Sequence, residues 1–298
     1  MQPDRPSSTA EMVASWRALE TLLPEGSRIL DDPHARAFLG PARARLVDTA
    51  ERLPARMFQS LYRRIDRGLG GVLSFVVARH RAMDDLIRGL HQPTEQLVLL
   101  GSGYDARPKR LWAELAGATV FEVDHPATAR RRAERLDAAF GEGPVAKRVP
   151  VVVDFERDDL AAALLGAGLD PARRTVWLWE GVTMYLEEPA IRATLRLIAS
   201  LSSPGALLCF DVWCPPQSGV QALAFREVPN LAMQLLYSEP LRWGPAKDAL
   251  EPLLREEGLA LIELTTNAEL GERYGLRRRP WLEASHMNLC VAEVDRPV

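Results

Sequence analysis

Apolar positions along this 298-residue chain change their period once, near residue 95, and that change predicts its architecture. Upstream, Met12, Val13, Trp16, Leu19, Leu22 and Leu23 recur at helical spacing, which predicts a helix over 10–23 ended by Pro24 and Gly26. Asp31-Asp32-Pro33 joins a capping carboxylate to a first-turn proline and predicts a second helix start. Helical pattern resumes from Pro54 through Leu90 with a break at Gly68–Gly71, while residues 1–9 are polar and patternless. Downstream, short apolar runs of the kind that form fully buried strands occupy 97–100, 119–124, 149–153, 175–179 and 206–212. Helical stretches over 109–113, 126–140, 156–165 and 187–201 separate them. A helix over 249–258 and two late strands, 259–264 and 287–294, complete the chain. With no long helix between them, one of those two is expected to run antiparallel. The organisation implied is a helical cap over 1–95 on an α/β core over 96–298. Residues 213–245 break the alternation with Trp213, Phe225, Met233, Tyr237 and Trp243 among prolines. An excursion of that length after a strand end predicts a lid or substrate wall, the alternative being a helical pair that completes the core.

The strand ends carry the candidate chemistry. Leu97–Leu100 runs into Gly101-Ser102-Gly103, then a helix, a second strand and the acids Glu122 and Asp124. That order is the front half of a nucleotide-binding α/β unit. The glycines allow positive φ and let a ligand approach backbone amides. A carboxylate at the second strand's tip, Asp124, can accept both hydroxyls of a ribose. A dinucleotide fingerprint would place its third glycine where Ala106 stands, and here the acidic pair begins 21 residues after Gly101. Asp105-Ala106-Arg107 also sets a charge pair where a phosphate binder keeps small apolar residues. An aspartate there repels pyrophosphate but suits a ligand with a positive end, such as S-adenosylmethionine (SAM), with its ammonium and sulfonium. A structural turn without a ligand is the plain alternative. Asp154-Phe155 could hold an adenine amino group and ring face, although Asp154 could equally cap the next helix. Glu180 closes the fourth strand, so Gly101, Asp124, Asp154 and Glu180 all converge on one sheet edge, where ligands of open parallel sheets bind. Arg79 could offer a ligand carboxylate a bidentate fork. By residue type alone, Arg79, His80 and His91 fit an exposed surface.

Composition narrows the partners. Hydrophobic residues make up 47% and charged residues 26%, ordinary for a chain able to bury a sizeable core. A net charge of −3 without a long basic run gives no footprint for nucleic acid, and Arg130–Arg132 and Arg277–Arg279 are expected on solvated faces. Cys209, Cys214 and Cys290 have neither zinc-site nor CxxC spacing, which fits a reduced, cytoplasmic setting. No acid, histidine and cysteine cluster has metal-ligand spacing, so no metal is expected. No signal-peptide core and no run of about 18 apolar residues is present, so no membrane partner is expected.

Four segments resemble the leucine carboxyl methyltransferase family, in particular its bacterial SAM-dependent O-methyltransferase branch. They are Asp31-Asp-Pro-His-Ala, Leu100-Gly-Ser-Gly-Tyr-Asp-Ala-Arg107, Phe121-Glu-Val-Asp-His-Pro126 and Trp179-Glu-Gly-Val-Thr-Met-Tyr-Leu186. The resemblance covers about residues 27–210; the last ninety match poorly, and substrate choice is expected there. It implies a seven-stranded class I (Rossmann-like) methyltransferase sheet with strand seven antiparallel, a helical N-terminal extension over SAM, and an inserted helical lid. By position, Arg79 would pair with the SAM carboxylate, and Gly101 and Gly103 would line the methionine. Asp124 would hold the ribose, Asp154 and Phe155 the adenine, and Glu180 the amino-acid end. The branch usually has Asp-Thr-Arg where this chain has Asp105-Ala106-Arg107, a loss of one hydroxyl contact.

Methyl transfer from a sulfonium needs the acceptor oxygen aligned at about 3 Å and water excluded. A carboxylate is already ionised, whereas a phenol or alcohol would want a base such as histidine. No histidine accompanies residues 180–185, which favours a carboxylate, although His34 or His286 could fold over the site. Tyr185 is the candidate to orient the acceptor; its alternative is a core tyrosine. The aromatic excursion suits an apolar, polyketide-like small molecule. The rival readings are a phenol or hydroxyl methyltransferase, an NAD-dependent oxidoreductase, and a non-catalytic protein of the same fold.

Overall fold

The computed structural model describes residues 7–154, 157–227, 234, 240–276 and 286–295. The chain opens with α1 (Ser8–Thr21), whose first turn is capped by the Ser7 hydroxyl accepting from the Ala10 amide. The helix start expected at Asp31 is not there. Asp32 is fully buried and its carboxylate accepts from Arg17 at 2.7 Å instead of capping, so residues 35–38 form only a 3-10 turn. The next helix is α2 (Pro41–Glu51), started by Pro41. The break at 68–71 falls as expected. Gly70 and Gly71 take positive φ (62° and 82°) between α3 (Ala55–Gly68) and α4 (Val72–Arg88).

Seven strands follow: β1 (Gln96–Leu100), β2 (Thr119–Asp124), β3 (Lys147–Val152), β4 (Thr175–Trp179), β5 (Leu207–Trp213), β6 (Leu259–Thr266) and β7 (Met287–Val294). They form one sheet in the order β3-β2-β1-β4-β5-β7-β6. Only β7 runs against its neighbours, β5 and β6, so the expectation of one antiparallel strand in the late pair holds. Every residue of β1, β2 and β4 is buried, which is why these segments read as continuous apolar runs. Their side chains alternate between two cores. Val98, Leu100, Trp177 and Trp179 enter one with α9 (Glu188–Ser200), and Leu97, Leu99, Val176 and Leu178 enter the other. Phe75, Val77 and Met83 of α4 belong to that second core, so the last helix of the N-terminal segment packs directly on the sheet. The strand order reverses between β1 and β4, and the crevice of such a sheet opens beyond their carboxyl ends.

Other helices differ in extent. The stretch at 109–113 is a single turn, α5 (Arg107–Arg110). The charged helix after His125 divides into α6 (Pro126–Ala133) and α7 (Leu136–Phe140). The helix expected from 156 is α8 (Leu160–Gly166), because Asp159 and not Asp154 caps it by accepting from Ala162. Within the excursion, α10 (Gly219–Ala222) is short, and Trp243 is buried in the core of β4 and β5. Met233 and Tyr237, central to the lid expectation, lie outside the described residues, as do Arg277–Arg279. The chain closes with α11 (Leu250–Glu256) and α12 (Asn267–Arg273) around β6. Among the described residues no helix is long and apolar enough to cross a membrane.

Candidate functional site

The turn after β1 is built by steric necessity. Gly101 (φ 73°) and Gly103 (φ 49°) occupy left-handed backbone, and the amides of Gly101 and Ser102 both donate to the Val123 carbonyl. A Cβ on Gly101 would stand 2.5 Å from Cγ2 of Val182, so the turns after β1 and β4 touch there. Gly101→Ala is therefore expected to cost about 2–4 kcal/mol, from positive φ plus overpacking. A lower urea midpoint would register it. Gly103→Ala should cost less, since its Cβ would meet Ala10 at an ordinary 3.5 Å. That contact also places α1 over the turn. Arg17 of α1 donates to the Tyr104 carbonyl at 2.7 Å. Arg132 braces the turn from α6 through the carbonyls of Gly103 (3.0 Å) and Asp105 (2.6 Å), and pairs with Glu122. The expectation of a solvated face thus fails for Arg132, which is buried because those carbonyls and Glu122 need a donor.

Asp124 ends β2 buried against this turn. Its carboxylate accepts from the amides of Gly103 (2.5 Å) and His125 (2.7 Å). Burial still pushes its carboxyl up, to about 6, with those two amide bonds opposing the rise. Asp154, past β3, is half-buried, 3.9 Å from Nε2 of His125 and 3.7 Å from Nε of Arg157. Phe155 lies outside the described residues.

Beyond β4, the site is a buried charge network. Arg79 is no surface arginine. It is 4% exposed, donating from Nε to Glu180 (3.1 Å) and from Nη1 to Asp211 (2.5 Å). A Cβ on Gly181 would stand 2.9 Å from Nη2 of Arg79, so a glycine is needed for the guanidinium to approach that backbone. The Gly181 amide donates to Asp211 at 2.6 Å. Arg107 has no exposed surface and links three acids: Asp84 (2.8 Å), Glu180 (2.9 Å) and Asp105. His80 is buried between Glu180 (2.9 Å from Nδ1) and Arg110 (2.8 Å from Nε2). Nε2 meets only arginines, which can only donate, whereas Nδ1 has the Glu180 carboxylate as an acceptor besides Arg107 (3.0 Å), which assigns the proton to Nδ1 and the donation to Glu180. Burial and then Arg107 push the His80 ring down, so it is neutral. Burial alone would raise the Glu180 carboxyl, but the Arg107 and Arg79 guanidinium groups and the hydrogen bond from neutral His80 outweigh it and hold it well below the usual carboxylate range. Tyr185 sits half-buried in the 3-10 turn Thr183–Tyr185, within electrostatic reach of Arg79.

The structure thus joins Arg79, Gly101, Gly103, Asp124 and Glu180 at one sheet edge, with Asp154 on the β3 side. Sequence reasoning missed His80, Asp84, Arg110 and Asp211 as parts of the site. Asp211 did leave a signal, since an acid inside the apolar strand Leu207–Trp213 must find a partner. His91 is exposed, as its residue type suggested. His80, Asp105 and Glu180 offer ligand atoms within 4.8 Å of one another, a spacing that could hold a cation. The Arg107 guanidinium, bonded to both acids, is the cation there.

Residues 10–199 match the model of the leucine carboxyl methyltransferase family. A Mycolicibacterium smegmatis protein, provisionally named as an S-adenosyl-L-methionine-dependent methyltransferase, is 37% identical over 210 residues. That stretch covers 68% of this chain and 66% of the relative, just under two thirds of its length. A similarly named Frankia alni protein is 34% identical over 260 residues, covering 84% of this chain and 85% of that one. Among solved structures, a DUF574 family protein from Streptomyces avermitilis superposes with a TM-score of 0.56 at 16% identity, over 80% of this chain and 90% of its own. An O-methyltransferase family protein from Burkholderia thailandensis gives 0.50 at 14% identity, over 88% and 62%. At such identities the likeness is one of fold, and the fold is the class I methyltransferase sheet. The chain belongs to the leucine carboxyl methyltransferase family.

Proposed function

We propose that this chain is a SAM-dependent O-methyltransferase that moves a methyl group onto a carboxylate oxygen of a small-molecule acceptor. The observation that carries the reading is the meeting of the Gly101–Gly103 turn, buried Asp124 and the Arg79–Glu180 pair at the carboxyl ends of β1, β2 and β4. The donor set fits SAM. It offers carboxylates to a ribose and an ammonium, an arginine to a carboxylate, and side-chain-free backbone at 101 and 181. It does not fit a pyrophosphate, which would meet Asp124 on the Gly103 amide and buried Asp105 beside it. That argues against the nicotinamide oxidoreductase.

Bound SAM supplies an electrophilic methyl on sulfur. Asp124 accepts the ribose hydroxyls, Asp154 the adenine amino group, and Glu180, kept ionised by its cationic neighbours, faces the ammonium. Arg79 takes the methionine carboxylate while Asp211 holds it in place. The acceptor oxygen's lone pair forms the new C–O bond as the C–S bond breaks, its electron pair staying on sulfur. No proton moves, so no base is required. The chain's remaining tasks are alignment, which we assign to Tyr185, within electrostatic reach of Arg79, and exclusion of water, which we assign to α1 over the turn. A hydroxyl acceptor would instead need a base at this edge. His286, just before β7, has a ring that burial pushes down and keeps neutral.

Calorimetry with SAM, S-adenosylhomocysteine (SAH) and NAD tests the cofactor. Micromolar binding of the first two and none of NAD is expected; NAD binding alone would transfer the assignment to the oxidoreductase. Labelled-methyl transfer to carboxylates against phenols then decides the acceptor oxygen. The affinity should depend on pH through Asp124. Its carboxyl titrates at about 6, above the usual 3.9 or so, so the folded chain retains a proton that the unfolded chain has lost. The protonated form accepts one hydroxyl fewer. SAH affinity is therefore expected to rise from pH 5 to about 7 and then level off, and a flat profile would remove Asp124 from the ribose site.

A further inference from the structure

The carboxyl edge of the sheet holds a second feature that the cofactor reading leaves unused. Beyond β5, β7 and β6 lies a cavity of 320 Å³ whose described lining includes Cys214, Lys247, Asn267, His286 and Asn288. That volume is at the lower end of small-molecule pockets, about 300–1,000 Å³. Cys214 directly follows β5, the strand whose Asp211 holds Arg79, so one strand end serves both places. β5 and β7 lie one and two strands past β4, roughly 5 and 10 Å along the edge. The cofactor residues occupy the β1, β2 and β4 half of the edge; the cavity occupies the other half.

Its floor is fixed. His286 takes φ 50°, unusual for a residue with a side chain, and its carbonyl accepts from the Cys214 amide (2.9 Å) and the Asn288 carboxamide (3.1 Å). The same carboxamide reaches the Val212 carbonyl at 3.5 Å. The floor is also uncharged: burial pushes the Cys214 thiol up to about 12 and the His286 ring down. Lys247 stands exposed at the rim, the one charge among the described lining residues, and makes no ion pair among the described residues. Glu269 lies within its electrostatic reach, but that carboxylate is bound by the Thr266 amide (2.7 Å) and hydroxyl (2.8 Å) in a helix cap. A neutral pocket with a cation at its mouth suits an anion.

Resting on the methyl-transfer reading above, we propose that this cavity receives the acceptor and selects one with a second anionic group. Lys247 holds that group while the first carboxylate is methylated at the β4 side. The acceptor class is then a small dicarboxylate, or a carboxylate with another anionic substituent.

The test pairs acids that share a frame: butanoate with succinate, benzoate with terephthalate, and the biphenyl mono- and dicarboxylates. SAH binding is measured first, by calorimetry. Failure to bind SAH or SAM overturns the methyl-transfer reading and this inference with it. For a protein that binds SAH, labelled-methyl transfer should show kcat/KM about tenfold higher for the dianion in at least one pair, chiefly through KM. In Lys247→Met that ratio should fall to about one, and Lys247→Arg should keep most of it; SAH binding by each variant shows that it is folded. Equal turnover within every pair, an advantage that survives Lys247→Met, or no turnover of any acid despite SAH binding would each overturn the cavity assignment. Turnover of phenols in place of acids would overturn the carboxylate reading beneath it.

Discussion

Asp124→Ala is expected to weaken SAM and SAH binding by about a hundredfold to ten-thousandfold while leaving the fold intact. Two hydrogen bonds from ribose hydroxyls to an ionised carboxylate contribute about 1.5–3 kcal/mol each, and tenfold in affinity is about 1.4 kcal/mol. The fold should tolerate the change for a specific reason. Asp124 is a buried acid whose carboxyl is pushed up to about 6, so at neutral pH the folded chain bears an ionised group that burial disfavours. Its removal leaves the Gly103 and His125 amides without that acceptor, which partly offsets the relief. Calorimetry reads the affinity and thermal unfolding reads the fold. A variant that melts like the parent and binds SAH equally well would exclude Asp124 from the cofactor site. Asp124→Asn should recover part of the loss, because the amide still accepts one hydroxyl, and it should remove the pH dependence between 5 and 7.

Arg107→Met is expected to have the largest effect on stability. The guanidinium is fully buried among Asp84, Asp105 and Glu180, and methionine of similar length would leave those carboxylates without it. Asp84 keeps Arg110, and Glu180 keeps Arg79 and His80, so Asp105 is the acid most exposed to the loss. Breaking a buried pair from one side costs about 3–5 kcal/mol, a fall in melting temperature on the order of 10 °C for a chain of this size. The pH dependence carries a definite sign. Asp105 and Glu180 are both held below the usual carboxylate range, although burial alone would raise them. Acids depressed in the folded state contribute stability above their unfolded pKa, and that contribution is lost as pH falls through the folded one. The gap between parent and variant should therefore be widest near neutrality and narrow below about pH 4. Arg107→Lys keeps a charge but not a three-way fork, and should recover only part of it.

The order of strands and helices was legible because it depends on short-range physics. Thr175–Trp179 and Met287–Val294 have the bounds that their apolar runs implied, since the first is buried on both faces and the second keeps one face wholly buried. Gly101 and Gly103 were legible for a similar reason: a chain that turns at positive φ between a buried strand and an acid leaves few other residue choices. Strand ends then located Asp124 and Glu180. The failures share one cause. Asp31-Asp32-Pro33 carries a helix-start signal, but Asp32 bonds Arg17 across the fold and the local cue is overridden. Arg79 and His80 looked like surface residues because their partners, Glu180 and Asp211, are 100 to 132 positions away. The sequence by itself therefore determined the α/β alternation, the glycine turn and the acids at the sheet edge, all set by local sterics and side-chain period. Only the tertiary structure decided which charges are buried together, because a buried ion is tolerated only when distant elements bring its counter-charge within a few ångströms.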